Sequence, residues 1–361
     1  MEAKKRESGI ELFRTLTMLA IVAHHYIVNS GLYSLVLESR TFSFQNIFLL
    51  IFGWGGKTGI NCFVLITGYF MCTSKITLKK FLKLVLEVEF YKIAIYIIFL
   101  LTGYKNFSVK SLIDTLLPVT SVSTGFTSAY IVFFLFIPFL NILLNGMNKK
   151  QHIYLLLMCI GVYTVLPTLG ITVTYNYALW FSIIYFIGAY LRLYPETWFN
   201  SKRIWGALAI ASVLISWASV VLLPAIAKLL GIGQGAFNYV YYLVADSNKP
   251  LAILTAVSTF MYFKNCGIKY SRIINTVSAS AFGVLLIHAN SSTMINWLWK
   301  DTLKNTAFYN SNMIYLHAIT SVVGIYIVCT IIDILRIKCL EKPLFKQYDK
   351  LYNLFSERRK V

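Results

Sequence analysis

Apolar segments of about 20 residues, the length of helix that spans the hydrocarbon core of a bilayer, recur along the whole chain. They constrain its fold more than any other feature. The sequence predicts ten such spans, at 9–29, 44–72, 82–102, 126–145, 152–169, 176–193, 204–224, 238–262, 277–299 and 312–335. Because 58% of the residues are hydrophobic and only 13% are charged, we expect an all-α, polytopic membrane helix bundle.

The distribution of basic residues predicts the orientation of these spans. With the N-terminus in the cytoplasm, the inner segments hold 23 of the 33 lysines and arginines. This asymmetry follows the positive-inside rule, so we expect both termini to be cytoplasmic. The outer loops hold six basic residues: Arg40, Lys105, Lys110, Lys228, Lys300 and Lys304.

The net charge of +19 does not require a nucleic-acid partner. Membrane orientation and contact with anionic lipid headgroups explain it more simply. Attraction of an anionic cytosolic substrate by the same loops is a second interpretation. We expect a membrane domain over 1–335 and a basic cytoplasmic tail over 336–361, which has the pattern of an amphipathic interfacial helix. The short apolar stretch 111–121 is also expected at the interface.

Arg14 and His25 are the most informative residues of the first span. They are eleven positions apart, close to three helical turns, so they share one helix face and lie roughly 16 Å apart along its axis. A guanidinium and an imidazole inside a membrane are costly unless they face a partner or a polar cavity. The pair predicts a polar path into the bilayer. The alternative is that Arg14 reaches lipid headgroups and His25 only contacts another helix.

Lys57 and His288 are two further polar residues inside predicted spans. Lys57 follows glycines in GWGGKTG, a pattern that predicts either a helix break lining a cavity or close packing of small residues. His288 lies in the ninth span at a depth comparable with that of His25. The scattered cysteines and histidines show no spacing typical of a metal site.

Two charge pairs are suggested by depth in the membrane and by spacing in the sequence. Glu87, near the inner end of the third span, is a candidate partner for Arg14. Asp246 and Lys249 lie in the polar stretch ADSNKP of the eighth span and could neutralise one another.

Four motifs, taken in order, resemble those of the bacterial membrane acyltransferase family 3. They are Arg14 followed by His25, GKTGINCFVLITGYFM in the second span, AYIVFFLFIPFLN in the fourth and AFGVLLIHAN in the ninth. Within that family, the chain most resembles the polysaccharide O-acetyltransferases of the cell envelope. The resemblance implies a multi-pass protein of the bacterial cytoplasmic membrane that uses cytosolic acetyl-CoA to acylate an envelope glycan or its lipid-linked precursor.

The resemblance assigns a catalytic role to His25 and a donor-site role to Arg14. Acyl transfer needs a base for the acceptor hydroxyl and hydrogen-bond donors for the oxyanion. We therefore predict His25 as the base and His288 as a second proton carrier or a group that orients the acceptor. Cofactor contacts are predicted for Arg14 and Lys83, and acceptor contacts for Lys57, Tyr130 and Asn290.

The arginine-rich stretch that many family members carry at the inner end of the third span is replaced here by KKFLKLVLEVE. Two other functions remain open from the sequence. One is a carrier or flippase for a lipid-linked sugar or an organic anion, with the same charges lining its pathway. The other is a structural partner in a glycan-assembly complex.

Overall fold

Helices form the entire regular structure of the described part of the chain. The computed structural model describes residues 7–120, 122 and 125–358, and these contain no strand. The ends of the predicted domain and tail (1–6 and 359–361) and position 121 of the stretch 111–121 lie outside the described residues. The helices are α1 (Ser8–Val28), α2 (Leu32–Ser39), α3 (Phe44–Gly53), α4 (Gly56–Met71), α5 (Leu78–Leu101), α6 (Val109–Leu116), α7 (Phe126–Asn145), α8 (Lys149–Ile160), α9 (Leu166–Thr168), α10 (Tyr177–Leu193), α11 (Lys202–Leu229), α12 (Pro250–Asn265), α13 (Arg272–Ala279), α14 (Ala281–His288), α15 (Ser292–Asn296), α16 (Ile314–Arg336) and α17 (Lys342–Arg358).

Several of these helices are long and apolar enough to cross a membrane. Among the described residues there are five such stretches, and seven if each of two bent helix pairs is one span. The predicted all-α, multi-pass membrane protein is therefore confirmed. Helices α5, α10 and α12 occupy three further predicted spans, although α10 and α12 have only 17 and 16 residues. The count of ten and the cytoplasmic location of the termini stay predictions.

Two predicted spans are not continuous helices. Helix α14 ends at His288, and the helical segments on either side of this end meet at 92°, so the predicted span 277–299 is bent at this point. In the span 238–262, helix α12 begins only at Pro250, which fits the first turn of a helix because it lacks an N–H group. The preceding turns are held by protein groups: the Nδ2 of Asn61 donates a hydrogen bond to the carbonyl oxygen of Ser247 at 2.6 Å.

Helix α1 is central and contacts α3, α4, α12, α13, α14 and α16. Three glycines of α3 and α4 allow its close approach, because a Cβ at each position would come within 2.8 Å or less of an α1 side chain. The pairs are Gly53 with Ile27, Gly56 with His24 and Gly59 with Ile21. Both interpretations of the glycine-rich segment are confirmed, since α3 and α4 are also separated by a break directly before Lys57.

A buried ion network joins α5 to the end of α16. The guanidinium of Arg336 donates hydrogen bonds of 2.8–2.9 Å to the carboxylates of Glu87, Asp333 and Glu341. Asp333 is fully buried and also accepts a hydrogen bond of 2.8 Å from the hydroxyl of Tyr91. Charges buried in this way must be paired to be tolerated, so the network fixes the two helices relative to each other.

Substituting Gly283 of α14 tests this arrangement. An alanine Cβ there would lie 2.3 Å from Oδ1 of Asp333, whose hydrogen bonds prevent it from moving away. We expect Gly283→Ala to destabilise the protein by about 1–3 kcal/mol, as overpacking usually does. The thermal unfolding midpoint in detergent measures this effect. Gly324→Ala on α16, where a Cβ would meet open space, is the matched control, and equal midpoints for the two variants would contradict the packing described here.

Candidate active site

The larger of two cavities along α1, about 960 Å³ in volume, lies beside the second half of this helix. Three of the residues predicted from the sequence line it together: His25, Lys57 and Asn290. They come from α1, from the first turn of α4 and from the bend that follows α14. The bend after α14 and the break between α3 and α4 therefore bring the side chains of Asn290 and Lys57 into the same cavity as His25.

His25 and His288 are in direct contact. The Nδ1 of His25 lies 2.9 Å from the Nε2 of His288, and the Nδ1 of His288 lies 2.6 Å from the carbonyl oxygen of Val284. A carbonyl only accepts, so the Nδ1 of His288 must carry the proton and its Nε2 must accept in turn. His25 is then the donor through its own Nδ1–H.

This chain of hydrogen bonds determines what His25 offers to the cavity. His25 lines the cavity, whereas His288 is fully buried behind it and does not. With the Nδ1–H of His25 engaged by His288, its Nε2 is the nitrogen with a free lone pair. The arrangement supplies a proton acceptor at the cavity wall whose orientation is fixed by a second imidazole.

Lys57 is held by two partners on other elements. Its ammonium donates a hydrogen bond of 2.7 Å to the hydroxyl of Tyr177 and lies 3.6 Å from Oδ1 of Asp246. The predicted pairing of Asp246 with Lys249 is therefore wrong. Lys249 instead donates a hydrogen bond to the carbonyl oxygen of Pro167, and the carboxylate of Asp246 faces Lys57.

A second cavity, about 220 Å³ in volume, lies on the N-terminal side of His25 and contains Arg14. The Arg14 guanidinium pairs with Glu11 on the same helix, at 3.4 Å, and its side chain remains 26% exposed. The predicted partner Glu87 is thus wrong, since Glu87 is bound by Arg336. Arg14 keeps exposed surface in a cavity, which a purely structural ion pair would not need.

The two cavities meet at a shared wall. Phe126 of α7 and Leu285 of α14 line both of them. Tyr130, one turn after Phe126, lines the smaller cavity, and its hydroxyl lies 2.9 Å from the Oγ1 of Thr67. The structure therefore places Tyr130 with Arg14, whereas Lys57 and Asn290 share the cavity of His25.

Lys83 lies apart from both cavities. Its ammonium pairs with Glu341 at 2.6 Å, and half of its side chain is exposed. Its predicted cofactor contact stays a prediction. Among the residues that the structure describes, no group of three or more histidine, cysteine or acidic residues is placed to hold a metal ion.

An aromatic pair in the larger cavity was missed by the sequence analysis. The rings of Tyr33 and Tyr241 stack with centroids 5.5 Å apart and planes within 7°, and both residues line the cavity. Tyr241 has a φ of 64°, a conformation that is costly for a bulky side chain. Its hydroxyl is anchored to the carbonyl oxygen of Leu50 at 2.7 Å. The sequence signals neither the strain nor the contact, because both depend on tertiary packing.

Long apolar helices surround a polar cavity that His25 lines, an arrangement typical of a multi-pass membrane protein with an internal polar site. A family model described as an acyltransferase domain, Acyl_transf_3, matches residues 7–334. The chain therefore belongs to this family, as its motifs predicted, and is a membrane acyltransferase. No curated protein and no solved structure shows a significant match to it.

The hydrogen bonds predict the tautomers of four histidines. His24, whose Nδ1 lies 2.6 Å from the carbonyl oxygen of Gly53, should share the Nδ1–H form with His25 and His288. His152 should carry Nε2–H, because its Nε2 lies 3.0 Å from the carbonyl oxygen of Phe186. The ¹⁵N chemical shifts of the imidazoles in the purified protein measure these states. An Nε2–H form at His25 would contradict the relay, and His152 provides the internal control.

Proposed function

We propose that the protein transfers an acetyl group from cytosolic acetyl-CoA to a hydroxyl of a cell-envelope polysaccharide or its lipid-linked precursor. The observation that carries the proposal is the histidine relay beside the larger cavity, which shares Phe126 and Leu285 with the cavity of Arg14. One cavity contains the partly exposed side chain of Arg14, and the other contains His25, Lys57 and Asn290. An anionic donor and a hydroxylic acceptor can thus approach one wall from opposite sides.

In the proposed reaction His25 acts as the general base. Its Nε2 takes the proton of the acceptor hydroxyl while the hydroxyl oxygen attacks the acetyl carbonyl carbon. The C–S bond then breaks, and the CoA thiolate leaves with the proton that His25 carried. While His25 is protonated, its Nδ1–H remains hydrogen-bonded to His288, which stabilises and orients the charged ring. His288 is therefore a positioning residue in this mechanism.

Lys57 is our candidate for stabilising the oxyanion. It lines the same cavity as His25, and a positively charged donor there can stabilise the negative charge that develops on the acetyl oxygen. Its contacts with Tyr177 and Asp246 hold the ammonium in place. A fixed donor of this kind needs little reorganisation during the reaction.

The donor is assigned to the smaller cavity through Arg14. CoA carries several phosphate charges that remain near the membrane surface, and a guanidinium binds phosphate well. Arg14 lies roughly 16 Å from His25 along α1, a distance that an extended pantetheine arm can bridge. With a cytoplasmic N-terminus, as the basic residues predict, Arg14 is on the cytosolic side of His25.

The acceptor is assigned to the larger cavity by its combination of amides and aromatic rings. The Nδ2 of Asn290 donates to the carbonyl oxygen of Leu286 at 3.0 Å, which leaves its Oδ1 as a hydrogen-bond acceptor for hydroxyl groups. Asn29 and the stacked rings of Tyr33 and Tyr241 line the same space. Flat apolar faces beside amide groups suit a sugar ring, which has both C–H faces and hydroxyl edges.

A carrier or flippase would use similar intramembrane charges, but the family match favours acyl transfer. Consumption of the thioester distinguishes the two functions: the purified protein should hydrolyse acetyl-CoA slowly in the absence of acceptor, which a carrier should not do. NMR of the envelope glycan from a deletion strain should show the loss of an acetyl signal. Unchanged acetylation in that strain would contradict the proposal.

The relay predicts a graded response to substitution. His25→Ala should lower the transfer rate by about 10²–10⁴, the usual effect of losing a general base. His288→Phe should also lower kcat because it removes the acceptor for the Nδ1–H of His25. His288→Gln should retain part of the activity, since its amide oxygen can accept the same hydrogen bond. Rates are compared at equal amounts of folded protein in detergent.

His24→Asn is the control for these variants. The asparagine amide can replace the hydrogen bond to the Gly53 carbonyl, so this neighbour of His25 should show a milder loss. Wild-type transfer by His25→Ala would refute the assignment of the base. Equal loss in His288→Gln and His288→Phe would remove the positioning role from His288.

The donor site predicts that binding and chemistry separate along α1. Arg14→Lys keeps the charge but loses the bidentate geometry that suits phosphate, so acetyl-CoA should bind more weakly. His25→Ala should bind acetyl-CoA as the wild type does. Equilibrium binding to the three proteins measures this, and the reverse pattern would place the donor in the other cavity.

A further inference from the structure

Part of the lining of the larger cavity comes from α5, from α6 and from the loop between them, and this part is called the cationic arm. It consists of Lys92, Lys105, Ser108, Lys110, Ser111 and Asp114. None of these residues has a part in the proposed acyl transfer. The arm is therefore a distinct region of the cavity whose charge needs its own explanation.

Positive charge dominates this cavity. Its described lining contains four lysines, at 57, 92, 105 and 110, and a single carboxylate, that of Asp114. Lys57 is engaged by Asp246 and Tyr177. Lys92 is engaged as well: its ammonium donates to the carbonyl oxygens of Asp114 and Leu117 at 2.8 and 2.6 Å, which fixes the end of α6 against α5.

Lys105 and Lys110 remain without a carboxylate partner among the residues described by the structure. The ammonium of Lys105 lies 5.0 Å from the ring centroid of Tyr96, which holds the side chain but does not neutralise it. Lys110 is exposed, in the first turn of α6. Two lysines in one part of a cavity that holds a single carboxylate give it a net positive charge, which favours the binding of an anion.

Membrane orientation does not account for these two lysines. Basic residues are depleted from outer loops, and both belong to the six that the predicted topology places outside. A lysine that lies in a predicted outer loop and lines a cavity is explained more simply by contact with a ligand than by the positive-inside rule.

Helix α6 has the pattern of an interfacial helix. Val109, Ile113 and Leu116 are 50–63% exposed, whereas Lys110, Ser111, Asp114 and Thr115 line the cavity. Such a helix lies along the membrane surface with its apolar side in the acyl region. The cationic arm then opens at the level of the lipid headgroups.

We propose that Lys105 and Lys110 bind the phosphate groups of a lipid diphosphate-linked glycan acceptor. The lipid chain would remain in the bilayer beside α6, the diphosphate would occupy the cationic arm, and the attached sugar would extend towards Tyr33, Tyr241 and His25. This inference rests on the proposed function and makes the acceptor more specific: it is anionic and anchored at the interface.

Binding of farnesyl diphosphate to the purified protein in detergent tests the proposal. The probe carries the lipid and the diphosphate but no sugar. Wild type should bind it more tightly than farnesol, and added salt should weaken the binding because the contact is ionic. The double variant Lys105→Gln/Lys110→Gln should bind it about tenfold more weakly or worse, as expected for the loss of charged hydrogen bonds. Its affinity for farnesol should not change.

The matched control is Lys228→Gln/Lys300→Gln, which removes two outer lysines that do not line the cavity. It should bind farnesyl diphosphate like the wild type, and both double variants should keep the wild-type unfolding midpoint. Equal binding of farnesol and farnesyl diphosphate, or equal loss in the two double variants, would overturn the proposal. Inorganic pyrophosphate binding as tightly as the lipid diphosphate would overturn the lipid-linked acceptor in favour of a free anion. Because acetyl-CoA is absent from this assay, a failure of acyl transfer and a failure of this site are distinguishable.

Discussion

The close packing of α1 against the glycines of α3 and α4 is the contact on which the site depends. The ring of His24 occupies the space that a side chain at position 56 would need, and its Nδ1–H is held by the carbonyl of Gly53. The next residue, His25, projects about 100° further round the helix and so reaches α14 and the cavity. Gly53 is also the last residue of α3. The break that follows it places Lys57, in the first turn of α4, at the cavity wall. One helix contact thus positions His25, the proposed base, and the ammonium of Lys57.

Burial of two imidazoles is stable here because each polar atom facing the protein has a partner. An unsatisfied polar group in a membrane interior costs several kcal/mol. The carbonyl of Val284 and the lone pair of His288 are therefore needed, because each accepts a hydrogen bond from a buried imidazole. The end of α14 at His288 also matters, because the bend that follows carries Asn290 back to the cavity. The same hydrogen bonds therefore pair the buried ring nitrogens and fix the orientation of His25.

The sequence predicts the features that depend on periodicity along one helix and misses those that depend on which helices become neighbours. The spacing of Arg14 and His25 and the similar depth of His288 were enough to predict one polar path, and the histidines do meet. Glu87, in contrast, is bound by Arg336, about 250 positions away in the chain, and depth alone cannot select such a partner. The bend after His288 was missed because hydropathy averaged over a whole span conceals a few turn-forming polar residues.

Helix α14 shows why the site should behave as one unit. Within six residues it places Gly283 against the buried Asp333, Leu285 at the wall shared by both cavities and His288 against His25. Eight residues of helix are nearly rigid, so a displacement at any of these contacts moves the other two. The ion network around Arg336 therefore does more than stabilise the bundle: through the contact of Asp333 with Gly283 it holds α14, and with it the wall between the cavities and the orientation of His25, the proposed base. In the proposed mechanism Arg336 thus affects the transfer without facing either cavity.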